Sequence, residues 1–145
     1  LVILGLAPKQ LEAIVMNRLA KLCLVTGLLL PLAVSAHEPS ASPLFQVNLD
    51  DLGNREGLMA VVDFLPGVKG VRHRHNAHTF VYVLEGSVVM QVEGGERKVL
   101  HAGQTFYETP DDIHVVGDNA SATAPAKILV FLAKERGAPP TIPVP

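Results

Sequence analysis

From Leu44 onward the chain is a succession of short apolar runs separated by glycine, proline and asparagine. LFQVNL, LMAVVDF, TFVYVL, SVVMQVE, ERKVL and AKILVFLA are runs of strand length, and nothing after residue 36 repeats its apolar positions at the helical period. The pattern predicts an all-β domain of roughly eight to ten strands, closed as a sandwich or barrel. Glu85-Gly86 and Gly94-Gly95 read as the turns of two successive hairpins. Glu38 to Pro43, rich in Pro, Ser and Ala, reads as a linker. The tail RGAPPTIPVP reads as an extended segment on the surface or against a partner chain.

Strand parity sorts the side chains around TFVYVL. Thr79, Val81 and Val83 share one face, and His78, Phe80, Tyr82 and Leu84 share the other. If Leu84 pairs with Ser87, then Val88, Met90 and Val92 join the first face. That inward set is apolar and holds no carboxylate, which points away from hydrolysis and isomerisation. The apolar outward set predicts coverage by a second copy of the chain, a homodimer.

The N-terminal part has a different pattern. Met16 opens a short basic start with Arg18 and Lys21, an apolar run from Leu22 to Val34, and then Ser35 and Ala36. This is the shape of a secretory signal peptide cleaved after Ala36, and the run is too short for a stable membrane anchor. Residues 1–15 precede the methionine suited to start such a signal and are set aside with it. The expected divisions are 1–36 removed, 37–57 a linker and first strand, 58–133 the barrel, and 134–145 a proline-rich tail. The expected location is exported, periplasmic or secreted.

Charge adds exclusions. Residues 37–145 carry nine Lys or Arg and thirteen Asp or Glu, a net charge of −4, with no cysteine and no basic face suited to nucleic acid. A small-molecule ligand or substrate is the expected partner.

The candidate chemistry lies in RHRHNAH, where His73 and His75 project together from one side of a strand, close enough to share an ion. Gly67, His73, His75, Thr79 and Gly86 stand at the spacing G-x5-H-x-H-x3-E-x6-G, and Gly103 with His114 at the spacing of G-x5-P-x-G-x2-H-x3-N. The chain therefore resembles a small single-domain bacterial cupin over roughly residues 58–133. That resemblance implies a cupin (double-stranded β-helix, jelly-roll) barrel with a divalent transition metal (Fe, Mn, Ni, Zn or Cu) on His73, His75 and His114.

The departures from the family pattern are informative. Thr79 stands where the family has a glutamate ligand, and its neutral hydroxyl is a poor replacement at this possible fourth position. Pro110 comes one place late, Asp111 replaces a glycine, and Asp118 replaces an asparagine, with Asn119 next. Parity turns His78 outward unless Asn76-Ala77 bulges, and His101 reads as a surface residue. An ion on three neutral histidines keeps its charge and open positions, which suits Lewis acid work or oxygen activation. The expectation is a metal-dependent oxygenase of the three-histidine type. The alternative is a non-catalytic cupin that binds a metal or small ligand.

Overall fold

The computed structural model describes residues 38–145. The segment 16–36, expected to be a signal peptide, the extension before it and His37 lie outside the described residues. The strands are β1 (Ser40–Leu49), β2 (Arg55–Phe64), β3 (His73–Arg74), β4 (His78–Glu85), β5 (Ser87–Val92), β6 (Lys98–His101), β7 (Thr105–Glu108), β8 (His114–Asn119), β9 (Ala126–Glu135) and β10 (Ile142–Pro143). Among the described residues the helical structure is one 3-10 turn, Asp50–Leu52. The strands form two five-stranded antiparallel sheets, β1-β2-β9-β4-β7 and β10-β3-β8-β5-β6.

Alternation explains the closed core. Leu58, Val81, Val83, Val88, Met90, Ile128, Val130 and Leu132 point between the sheets and are buried. Removing that apolar surface from water is what holds the sheets face to face. The interior also buries one ion pair, Glu56 with Lys134, which are direct partners across β2 and β9. Gln46 donates to the same carboxylate, and Lys134 also donates to the carbonyl of Ala138. The β2–β9 pairing runs from Arg55↔Glu135 to Phe64↔Ala126.

Two expectations need correction. Glu85-Gly86 is not a hairpin: β4 lies in one sheet and β5 in the other, so the chain turns a corner there. Only Gly86 separates the two strands, too little for a two-residue turn. It takes φ 69°, and a Cβ on it would lie 2.5 Å from the carbonyl oxygen of Pro125. The supposed linker is largely strand, since β1 starts at Ser40. Its Pro43 is tolerated because β1 is an edge strand and the register slips just after that residue. The proline-rich tail lies extended, and its Ile142 and Pro143 pair as β10 with Arg74 and His73.

Candidate functional site

Two cross-strand pairs, one from each sheet, form the site. His73 on β3 is the direct partner of His114 on β8, and Thr79 on β4 is the direct partner of Glu108 on β7. His75 follows β3 immediately. The ligand nitrogens of His73, His75 and His114 all lie within 4.8 Å of one another. Their convergence depends on local irregularities. The β5–β8 register jumps from Gln91↔Val116 to Val92↔His114, so a bulge at Val115 turns His114 inward. Gly117 lies beneath the His114 ring, where a Cβ would come within 3.1 Å of its Cε1. Asn76 takes a left-handed φ of 49°, and the chain enters β4 with parity kept: Ala77 and Thr79 are buried and His78 is exposed.

Backbone carbonyls fix the tautomers. His73 Nδ1 donates to the carbonyl of Val71 at 2.8 Å, and His75 Nδ1 donates to that of Pro140 at 2.6 Å. A carbonyl only accepts, so each neutral ring presents a bare lone pair at Nε2. Those two Nε2 atoms are 3.1 Å apart. Lone pairs at that distance repel unless a cation or proton lies between them. Two nitrogens bound to one ion at about 2.0–2.1 Å, at right to tetrahedral angles, would lie roughly 2.8–3.4 Å apart. His114 Nε2, Thr79 Oγ1 and Glu108 Oε2 are buried with no hydrogen-bond partner. Such orphaned groups are costly in a dry interior. The residues therefore fit a bound divalent cation, with the carbonyls of Val71 and Pro140 orienting two of its ligands.

Glu108 was not expected in the site. Its carboxylate oxygens lie 3.5 Å from His114 Nδ1 and 3.8 Å from His75 Nε2, and the residue is 2% exposed. Burial pushes its pKa up from 4.5 to about 7, and the Asp112 carboxylate pushes it the same way. Burial pulls His114 down from 6.5 to about 4, helped by the charge of His73. His75 is also lowered, first by burial, with the Pro140 carbonyl opposing. Between about pH 4 and 7 the His114–Glu108 contact thus joins two neutral groups and is not an ion pair. The sequence signal for Glu108 was the alternation in TFYE, which puts Phe106 and Glu108 on one face. The β4–β7 neighbourship that brings that face beside Thr79 is not local.

The other candidates lie elsewhere. His78 is on the outer face, bonded to the Tyr107 hydroxyl at 2.7 Å, and His101 is exposed and bonded to Ser87 at 2.7 Å. Asn119, one place later than the asparagine of the family spacing, is buried and donates to the carbonyls of Phe64, Leu65 and Ala124. It anchors loops and does not reach the histidines. The site opens into a cavity of about 400 Å³ between the sheets, lined on its remaining sides mainly by apolar residues.

Comparison with known proteins places this geometry. The family model Cupin_2, described as a cupin domain, matches residues 60–132. The crystal structure of TT1209 from Thermus thermophilus is similar at 30% identity and a TM-score of 0.55, over 67% of this chain and 84% of that one. The dimethylsulfoniopropionate (DMSP) lyase DddQ from Ruegeria pomeroyi is similar at 15% identity and a TM-score of 0.59, over 74% of this chain and 52% of that one. An oxalate oxidase is similar at 22% identity and a TM-score of 0.58, over 77% of this chain and 57% of that one. These last two are likenesses of fold alone. None of the curated proteins matches the chain.

Proposed function

This chain belongs to the cupin domain family Cupin_2, and on that premise we propose that it is a metal-dependent enzyme that deprotonates a small molecule held in the barrel. The observation that carries the reading is Glu108, a buried carboxyl with a free oxygen beside His75 and His114. The fold does not choose the reaction, since a lyase and an oxidase share it. The side chains narrow the choice.

His73, His75 and His114 would hold a divalent transition ion, which supplies Lewis acidity to a substrate oxygen. Glu108, buried beside His75 and His114 with one oxygen unpartnered, is placed to take a proton from the bound molecule and return it. Thr79, on the partner position across the strands, offers its unpartnered hydroxyl as a donor to the same molecule. The apolar walls would keep water away from the charge formed on deprotonation. Deprotonation of this kind can begin an oxygenation as well as an isomerisation or elimination, so the oxygenase reading is one branch of the proposal.

The test is solvent deuterium incorporation into 1,3-diketones and 2-oxo acids by metal-loaded protein in heavy water, with and without oxygen. Glu108→Gln should lower exchange at least about 100-fold while keeping its metal. Metal lost with Glu108→Gln would make that residue a ligand instead. Full metal with no exchange in any compound would favour the non-catalytic binding reading.

Export with cleavage after Ala36 and pairing of two copies complete the proposal. The second is supported by the outer face of the β1-containing sheet. Phe45, Met59, Phe131, Phe80 and Tyr107 stand in register across all five strands. Phe80 meets Tyr107 at a ring-centroid distance of 5.1 Å and Phe131 at 6.2 Å. Phe45 is 58% exposed, Phe80 49% and Tyr107 47%. An apolar row of this kind is suited to a second sheet.

A further inference from the structure

The polar groups of the cavity are concentrated at one level of the barrel, and strand register shows what lies beyond them. Thr79 is level with Leu132 on β9, which is level with Leu58 on β2. The next inward row is Val81, Val130 and Ala60, and the one after contains Ile128 and Val62. Each row is two residues along the strands, a step of about 7 Å, so the two apolar rows extend on the order of 13 Å from the Thr79–Glu108 level. Phe64 and Met90 add to the same wall.

Among the described residues the lining holds no lysine or arginine. The buried Lys134 is committed to Glu56 and the Ala138 carbonyl. The charged residue that lines the cavity outside the histidine level is Glu38, which precedes β1. Because Ala41 of β1 is opposite Val62 of β2, Glu38 lies toward the end of the barrel marked by Phe64 and Leu65, away from Thr79. A ligand reaching from the histidines along the cavity thus meets imidazole, hydroxyl and carboxyl groups first, then two rows of hydrocarbon, then a carboxylate at a rim open to solvent.

We propose that the molecule this site takes carries one oxygen-chelating head on an uncharged, apolar body, and that a charge held among the two apolar rows weakens binding. This rests on the reading of the three histidines as a metal site. A second anionic group would have to leave water for a wall that offers no cation and ends at Glu38, and a buried unpaired charge is strongly unfavourable. A cationic far end on a chain too short to reach Glu38 would be buried without its hydration shell among the same two rows. A neutral chain gains from each methylene it buries there.

Alkyl hydroxamic acids test this with cobalt(II)-loaded protein, whose visible spectrum reports binding of the head group. The probes are acetohydroxamate, its homologues up to about ten carbons, a length matched to the two apolar rows, and two matched series with a terminal carboxylate or a terminal trimethylammonium. Affinity should rise about three- to fourfold per added methylene until the cavity is filled, and each charged series should bind at least about tenfold more weakly than the neutral chain of equal length while the chain is too short to reach the rim. Val130→Phe, which fills the middle row, should shorten the chain length at which affinity levels off. Acetohydroxamate that leaves the cobalt spectrum unmoved would refute the metal reading itself. Acetohydroxamate that binds, with longer chains gaining nothing or a charged series too short to reach the rim binding as well as the neutral one, would overturn the substrate class alone. The wild-type series decides this even if Val130→Phe fails to fold.

Discussion

Glu108 brings to the site the carboxyl that the family spacing puts at position 79, where this chain has a threonine. The position in the first signature that normally carries a carboxylate has a hydroxyl, and a carboxyl stands directly across from it on the neighbouring strand. This placement has a consequence for stability. The Glu108 pKa is about 7 in the folded chain against 4.5 ordinarily, so the folded state holds that proton more tightly than the unfolded one. Its contribution is fully favourable below pH 4.5, is lost as pH rises toward 7, and is constant above. Glu108→Gln does not titrate, whereas His114 is present in both proteins and cancels from the comparison. In chelator-treated protein, the stability of Glu108→Gln relative to wild type should rise by up to about 3 kcal/mol between about pH 4.5 and pH 8. Urea unfolding of both proteins at about pH 5 and pH 8, on either side of the lost contribution, checks this, and parallel curves would mean that Glu108 ionises in the folded chain as it does in water.

The weakest element is the most consequential. β3 is two residues long, and it keeps its place because β8 pairs with it on one side and β10 on the other. The tail binds at three points: Ile142 and Pro143 pair with Arg74 and His73, the Val144 amide donates to the Arg72 carbonyl at 3.2 Å, and the Pro140 carbonyl holds His75 Nδ1. Partners that orient metal-binding imidazoles typically affect affinity about 10–100-fold. A chain ending at Ala138 keeps the carbonyl bonded to Lys134 and the pairing of β2 with β9, so the barrel should fold. Its metal affinity should fall by about 10–100-fold, measured by competition with a chromophoric chelator. Unchanged affinity would show that the tail only covers the site.

At the scale of the whole molecule, one sheet faces inward with Leu58, Leu132, Thr79 and Glu108 and outward with Met59, Phe131, Phe80 and Tyr107. β1 sits at the edge of that sheet, with Leu44 59% exposed and Phe45 58% exposed. An edge strand that is apolar and uncovered is a hazard unless something covers it. Pairing of two copies through this face should make the protein sediment as a dimer, and Phe45→Glu combined with Phe80→Glu should shift it to monomer without changing metal stoichiometry. A wild-type protein that sediments as a monomer at micromolar concentration would count against the pairing.

The alternating pattern by itself determined the strand character of the domain and the separation of Val81 and Val83 from Phe80 and Tyr82, because side-chain direction along a strand is a local property of period two. The pair His73 and His75 was legible for the same reason, and His114 through the family spacing. The tertiary structure decided what depends on which strands are neighbours. It carried β5 away from β4 at Gly86, placed Glu108 opposite Thr79, brought the Pro140 carbonyl to His75, and turned His114 inward through the bulge at Val115. Each of these joins residues whose proximity is set by sheet order and register, and no local spacing in the chain encodes either one.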